Sequence, residues 1–142
     1  MSNTIEINSN MKKFDIVDLD GKVLTTIYFN PTDINILHRY EETMRSLATI
    51  KLKFGKVSKN TDIGKLLKEV DAIVYEKVDY LLNAQAAEKI FSVMGPFSLL
   101  EDGDFYVEVV LKAIGQTIKN ENAEYAKKLE EKVNKHTAKY HG

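Results

Sequence analysis

Between residues 12 and 29 apolar positions alternate with polar ones. In KFDIVDL, Phe14 and Ile16 are separated by charge, the pattern of a half-buried strand. Asp20-Gly21 is a strong turn signal. VLTTIYF is β-branched and aromatic, which favours a second strand. One hairpin is predicted here. A lone hairpin is marginal in water, so its apolar face of Val23, Ile27 and Phe29 is expected to pack on the long second helix described next. Residues 1–10 are polar and weakly patterned, a loose arm or at most a short edge strand at TIEIN.

Beyond residue 29 the period changes to that of helices. Asn30 stands where an N-cap belongs, Pro31 suits the first helical position, and Asp33 then falls in the first turn. Leu37, Tyr40, Met44 and Leu47 form one face of this first helix. KLKFGKVSKN, residues 51–60, is basic and holds Gly55, so it reads as a loop. Thr61 is the expected cap of the second helix. Its stripe is the widest in the chain: Ile63, Leu66, Leu67, Val70, Ile73, Val74, Val78, Leu81 and Leu82, with Asn83 ending it. AQAAEKIFSVM predicts a shorter helix with Ile90, Phe91 and Met94 on one side. Gly95-Pro96 stops it. After an apolar connector and an acidic turn, a last helix starts near Asp104, capped by Asp102 or Asp104. Phe105, Tyr106, Val109, Val110, Ile114 and Ile118 mark its face. Past Lys119 the stripe thins to Tyr125, Leu129 and Val133, and no proline interrupts the pattern. The sequence thus predicts a mainly α (α+β) fold: a helical domain with an N-terminal hairpin over residues 1–120, and a C-terminal helical extension over 121–142. An isolated helix of that length is marginal in water, so the extension is expected to order against a partner, either a second copy or another protein's helix.

Composition narrows the function classes. The chain has 142 residues, a formal net charge of −1, no cysteine and no tryptophan. Disulfides, thiol chemistry and cysteine-ligated zinc are excluded. The near-neutral balance predicts neither nucleic acid nor an anionic membrane as partner. No run reaches the ~18 apolar residues of a membrane span, and the start lacks a signal-peptide core; a soluble, cytoplasmic protein is expected.

Few chemical constellations survive inspection. DIVDLDGK places Asp18 and Asp20 on calcium-loop positions, but the ends of that loop would be Ile16 and Ile27, which carry no oxygen ligand. His38 and Glu42 sit four apart and can touch, yet two residues do not make a metal site. His136 and His141 lie in the sparse tail. Glu101, Asp102 and Asp104 flank Gly103 at a helix start, where acids suit the dipole. Phe54 among the lysines of residues 51–59 has the look of a nucleic-acid surface, though a solvated loop explains it better. Tyr75, Tyr80, Tyr106, Tyr125 and Tyr140 suit an interface or the edge of a core equally. The glycines lack the spacing of nucleotide loops. No catalytic residue, cofactor or metal is expected.

Three segments in order resemble the small tail assembly chaperones of siphophages and of prophages in Gram-positive bacteria. They are FNPTDINILHRYEE after a β-type start, VDYLLNAQAAEKIF closing a long helix, and FYVEVVLKAIGQTIKNE after a glycine-containing break. The resemblance covers roughly residues 24–122. It implies a non-enzymatic protein of the host cytoplasm that binds the tape-measure protein and helps recruit tail-tube subunits during virion assembly. A homo-oligomer is compatible with it. The rival readings are another phage or bacterial adaptor, such as an inhibitor of a host defence protein, and a minor structural tail component. The connector then has two readings: Met94, Phe97, Leu99 and Leu100 cap the helical core, or they present a small adaptable apolar surface. With Tyr125, Leu129 and Val133 they are the expected partner-binding residues.

Overall fold

The structure, a computed structural model, describes residues 3–141, without the side chains of 125, 126, 129 and 133–141. The fold is α+β. A two-stranded antiparallel sheet, β1 (Lys12–Val17) and β2 (Val23–Phe29), precedes four helices: α1 (Ile36–Gly55), α2 (Ile63–Leu82), α3 (Ala87–Phe91) and α4 (Tyr106–His141).

The hairpin pairs Lys12 with Phe29 and Phe14 with Ile27, and its register shifts between Ile16 and Val17. The Asp18 carboxylate accepts the N–H groups of Asp20 and Lys22, each at 2.9 Å, and Gly21 takes φ +83°. The Asp18 carboxylate therefore builds a turn. Ile27 and Phe29 are buried, and the Phe14 ring lies 4.8 Å from that of Phe29. Val23 shares their parity but sits at the turn end, half exposed, and drops out of the expected face. The hairpin does not pack on the second helix as the pattern suggested. The stripe of α2 is taken by α1 and α3, so β2 packs on α3 instead, while Tyr106, Val109, Val110 and Ile114 of α4 face the hairpin. Residues 3–11 form no strand, and Ile5 and Ile7 are exposed.

The first helix starts five residues later than its capping signals suggest. Asn30 Oδ1 accepts the N–H of Thr32 and Asp33 Oδ1 that of Asn35, both at 3.0 Å. Each side chain closes a turn on its own backbone, the competing use of Asn and Asp. Pro31 is buried in that turn rather than opening a helix. The inward face is Ile36, Thr43, Leu47 and Ile50; Tyr40 and Met44 are half-buried, and Leu37 is exposed. The helix continues through KLKFG, assigned above to a loop. Phe54 explains this: its ring lies 5.0 Å from Phe97 and 5.6 Å from Phe105. That aromatic anchorage overrides the glycine. For α2 the cap is Asp62, which accepts Lys65 N–H at 3.1 Å, while Thr61 Oγ1 accepts Ser58 N–H. Asn83 ends α2 in the left-handed conformation, φ 49°, as expected.

Only five residues of the predicted third helix are helical. Its first N–H groups, Ala86 and Ala87, donate to Asp79 Oδ1 at 2.8 and 2.7 Å, so a carboxylate of α2 fixes where α3 begins. The central helix is α4. Its buried row of Val107, Val110, Leu111, Ile114 and Ile118 completes the core, and two tyrosines tie it in. Tyr106 donates to Ile90 O at 3.0 Å and Tyr40 to Leu111 O at 3.1 Å. No break occurs near residue 120, and the body still holds the helix just past it. Asn122 Nδ2 donates to Pro31 O at 3.0 Å, and Lys12 pairs with Glu121 at 2.6 Å.

Candidate partner-binding groove

The connector between α3 and α4 is built to start α4. The first N–H groups of a helix have no partner inside it. Here Tyr106 N–H donates to Ser98 O at 2.8 Å and Val107 N–H to Pro96 O at 2.9 Å. Glu108 reaches back to accept Phe105 N–H at 3.2 Å, half of a capping box. The acidic stretch makes a tight return, with Leu100 N–H on Asp104 O, Gly103 at φ +88° and Leu99 bridged to Phe105. Asp102 Oδ1 accepts Asp104 N–H, and Asp104 lies 3.6 Å from Lys112. Glu101, Asp102 and Asp104 are thus part of a turn ahead of α4. Neither expected cap, Asp102 or Asp104, takes the N–H of Tyr106 or Val107, because the carbonyls of Ser98 and Pro96 do.

This geometry divides the four connector residues between the two readings. Phe97 turns inward, its ring 5.4 Å from Phe105 and edge-on, and Pro96 is buried. Met94 and Leu100 face outward into a groove. Leu99 is exposed beside it and does not line it. Tyr125, Leu129 and Val133 lie outside the described side chains.

The groove consists of two adjoining clefts of about 360 and about 600 Å³, both bordered by Val17, Tyr106 and Val109. One wall is the hairpin, with Ile16, Val17, Leu19 and Leu24. The other is the solvent side of α4, with Val109, Ala113 and Thr117, and the connector closes one end. Among the described residues every charged side chain bordering it is acidic: Asp15, Asp18, Glu101 and Asp102. The floor is apolar and the rim is negative. The hairpin half of this surface was missed from sequence. A signal was present, because Val17, Leu19 and Leu24 fall outside the face used by Ile27 and Phe29, and a turn needs none of them apolar. Leu19 is fully exposed, and Val17 is half exposed.

The other sites carry less chemistry. Asp71 borders a shallow cleft of about 240 Å³ beside Gly95–Ser98; burial pushes its carboxyl up, but no second titratable group lines that cleft. His38 and Glu42 meet at 2.8 Å on the surface. The basic segment gives no stacking platform, since Phe54 points into the core and Lys51 pairs with Glu108 at 3.0 Å. Tyr106 is buried and Tyr75 is half-buried 5.2 Å from Phe91, whereas Tyr80 stays exposed. Among the described residues no group of three or more His, Asp or Glu could hold a metal ion, and no helix is long and apolar enough to cross a membrane. Comparison with protein-family models, curated proteins and solved structures finds no match to the chain.

Proposed function

We propose that this chain is a non-enzymatic protein-binding factor that acts as a phage tail assembly chaperone. The observation that carries the reading is the groove between hairpin and α4, with its apolar floor and all-acidic rim. Such a surface suits an amphipathic segment whose apolar side chains enter the floor while flanking lysines or arginines meet the rim. The resemblance of residues 24–122 to the tail chaperones supplies the client: the tape-measure protein, a long chain that must stay soluble until tube subunits assemble on it. Methionine at the groove's end suits a client offering many related segments.

Co-expression of the full chain with the tape-measure protein of the same phage or prophage tests this. The wild type is expected to move that protein into the soluble fraction and to co-purify with it. Leu24→Glu and Met94→Glu alter half-exposed side chains and should leave the fold intact while cutting the soluble yield at least tenfold. Unchanged solubility with both variants removes the groove from the mechanism. Failure of the wild type to solubilise the tape-measure protein at all removes the chaperone function.

A further inference from the structure

We propose that in the free protein this groove is occupied by the C-terminal end of α4 from a second copy of the chain, forming a reciprocal dimer. The first argument is charge. Among the described residues the groove is bordered by Asp15, Asp18, Glu101 and Asp102 and by no lysine or arginine. Residues 125–142 carry Lys127, Lys128, Lys132, Lys135 and Lys139 against Glu130 and Glu131, with no acid after 131. Within one otherwise neutral chain, this net-basic segment and the acidic-rimmed apolar groove are complementary; the other basic stretch, residues 51–59, has Lys51 already paired with Glu108. Tyr125, Leu129 and Val133, four residues apart, give that segment an apolar stripe. On its described part, Lys127, Lys128 and Lys132 are exposed and reach no acid of the groove.

The second argument is reach. The groove's α4 wall is Val109, Ala113 and Thr117, and the basic segment is the far end of the same helix. At a rise of ~1.5 Å per residue, Lys132 lies about 35 Å along the axis from Val109. An unbroken helix cannot fold back on its own first turns, so the complementary surfaces of one molecule cannot meet. They can meet between two molecules. A two-fold axis then makes the contact twice, each tail in the other's groove, the self-complementary arrangement of homodimers. The dimer does not depend on what the client is.

Sedimentation equilibrium of the full-length protein tests it. A dimer is expected whose dissociation constant rises at least tenfold between 50 and 500 mM NaCl, because the contact is between exposed charges. Lys132→Glu/Lys135→Glu/Lys139→Glu should weaken it at least tenfold. So should Asp18→Asn/Glu101→Lys/Asp102→Asn, chosen so that the asparagines keep the turn bonds to Asp20, Lys22 and Asp104. The chain carrying both sets should regain about tenfold over the tail variant, which a folding defect would not produce. If the groove variant fails to fold by circular dichroism, the tail variant and the salt series still decide. A wild-type monomer at low salt, or a dimer indifferent to salt and to the tail charges, overturns the proposal. A monomer that still solubilises the tape-measure protein would assign the groove to the client alone and leave the chaperone reading standing.

Discussion

Gly115 of α4 packs against the Tyr40 ring of α1. A Cβ there would lie 2.5 Å from the Tyr40 hydroxyl and 2.7 Å from its ring carbon. A tyrosine ring is stiff, and this one is held by its bond to Leu111 O. In a helix, Gly→Ala ordinarily gains about 1 kcal/mol. Here overpacking of about 1–3 kcal/mol should outweigh it. Gly115→Ala is therefore expected to lower the urea midpoint, and to raise it on a Tyr40→Ala background. A stabilised single variant would show that the ring can step aside. At Asp79 the argument concerns bonds rather than space. Asp79→Ala strands the buried N–H of Ala87 and leaves that of Ala86 only its 3.1 Å bond to Ala84 O, and should cost about 1–3 kcal/mol. Asp33 carries a pH signature. The Asn35 N–H, with Arg39 at 3.0 Å, holds its carboxyl below the ordinary 3.8, against opposing burial. A depressed carboxyl stabilises the fold above its unfolded value and loses that contribution as pH falls through the folded one. The stability gap between wild type and Asp33→Asn should thus be widest above about pH 5 and close in stronger acid. A gap that stays constant down to pH 2 would refute this.

The connector of residues 92–105 shows how one element serves two ends. Its carbonyls at Pro96 and Ser98 receive the first N–H groups of α4, and Phe97 locks onto Phe54 and Phe105. Phe97→Ala should cost about 2–3 kcal/mol, less than a fully buried phenylalanine because the ring is only partly covered. Leu99→Ala, at an exposed site, should stay within about 0.5 kcal/mol. Equal costs at both positions in a denaturant series would mean that the connector is not divided as described. Elements with a long periodic stripe, such as α2, and the hairpin with its Asp-Gly turn, were legible in the sequence. Those decided by tertiary contacts were not. The start of α1 moved because Asn30 and Asp33 bond their own backbone. Its end moved because Phe54 found two rings, and α3 was trimmed by a carboxylate from another helix. Half of the groove was legible too: Met94 and Leu100 stood out as apolar residues in a connector. Val17, Leu19 and Leu24 gave only the signal of lying off the face of Ile27 and Phe29; which side of the hairpin is covered depends on the element it packs against, and that element was α3 rather than α2.

At the scale of the whole molecule, α4 is both the centre of the core and the element that leaves it. Ile118 is 1% exposed, so residue 118 still belongs to the interior. Four residues on, Asn122 bonds Pro31 O in the turn before α1, and Glu121 meets Lys12 at the start of β1. Helix, hairpin and α1 are thus clasped together within one turn of α4. Ala123 and Glu124 are exposed, as are Lys127, Lys128 and Glu130–Lys132. Among the described residues the last hydrogen bond from α4 to the body is that of Asn122, slightly beyond the change in composition near Lys119, and Glu124 and Lys128 still border a cleft with Asn8, Met11 and Lys12. Chains ended at three points should separate these contributions, measured where the protein is monomeric so that dimer contacts add nothing. Ending at residue 124 keeps the hydrogen bond and the ion pair that tie α4 to the turn before α1 and to β1, and should leave the urea midpoint within error of the full chain. Ending at 119 keeps Ile118 but loses the Asn122 bond and the Lys12 pair. The bond accounts for about 1 kcal/mol of loss, and the partly exposed pair for less. Ending at 116 removes the buried Ile118 as well, which opens the core and should cost a further ~2–5 kcal/mol. A chain ending at 124 that melts like one ending at 116 would mean that the extension itself holds the monomer together. The extension would then be part of the body, with no end left free to reach a second copy.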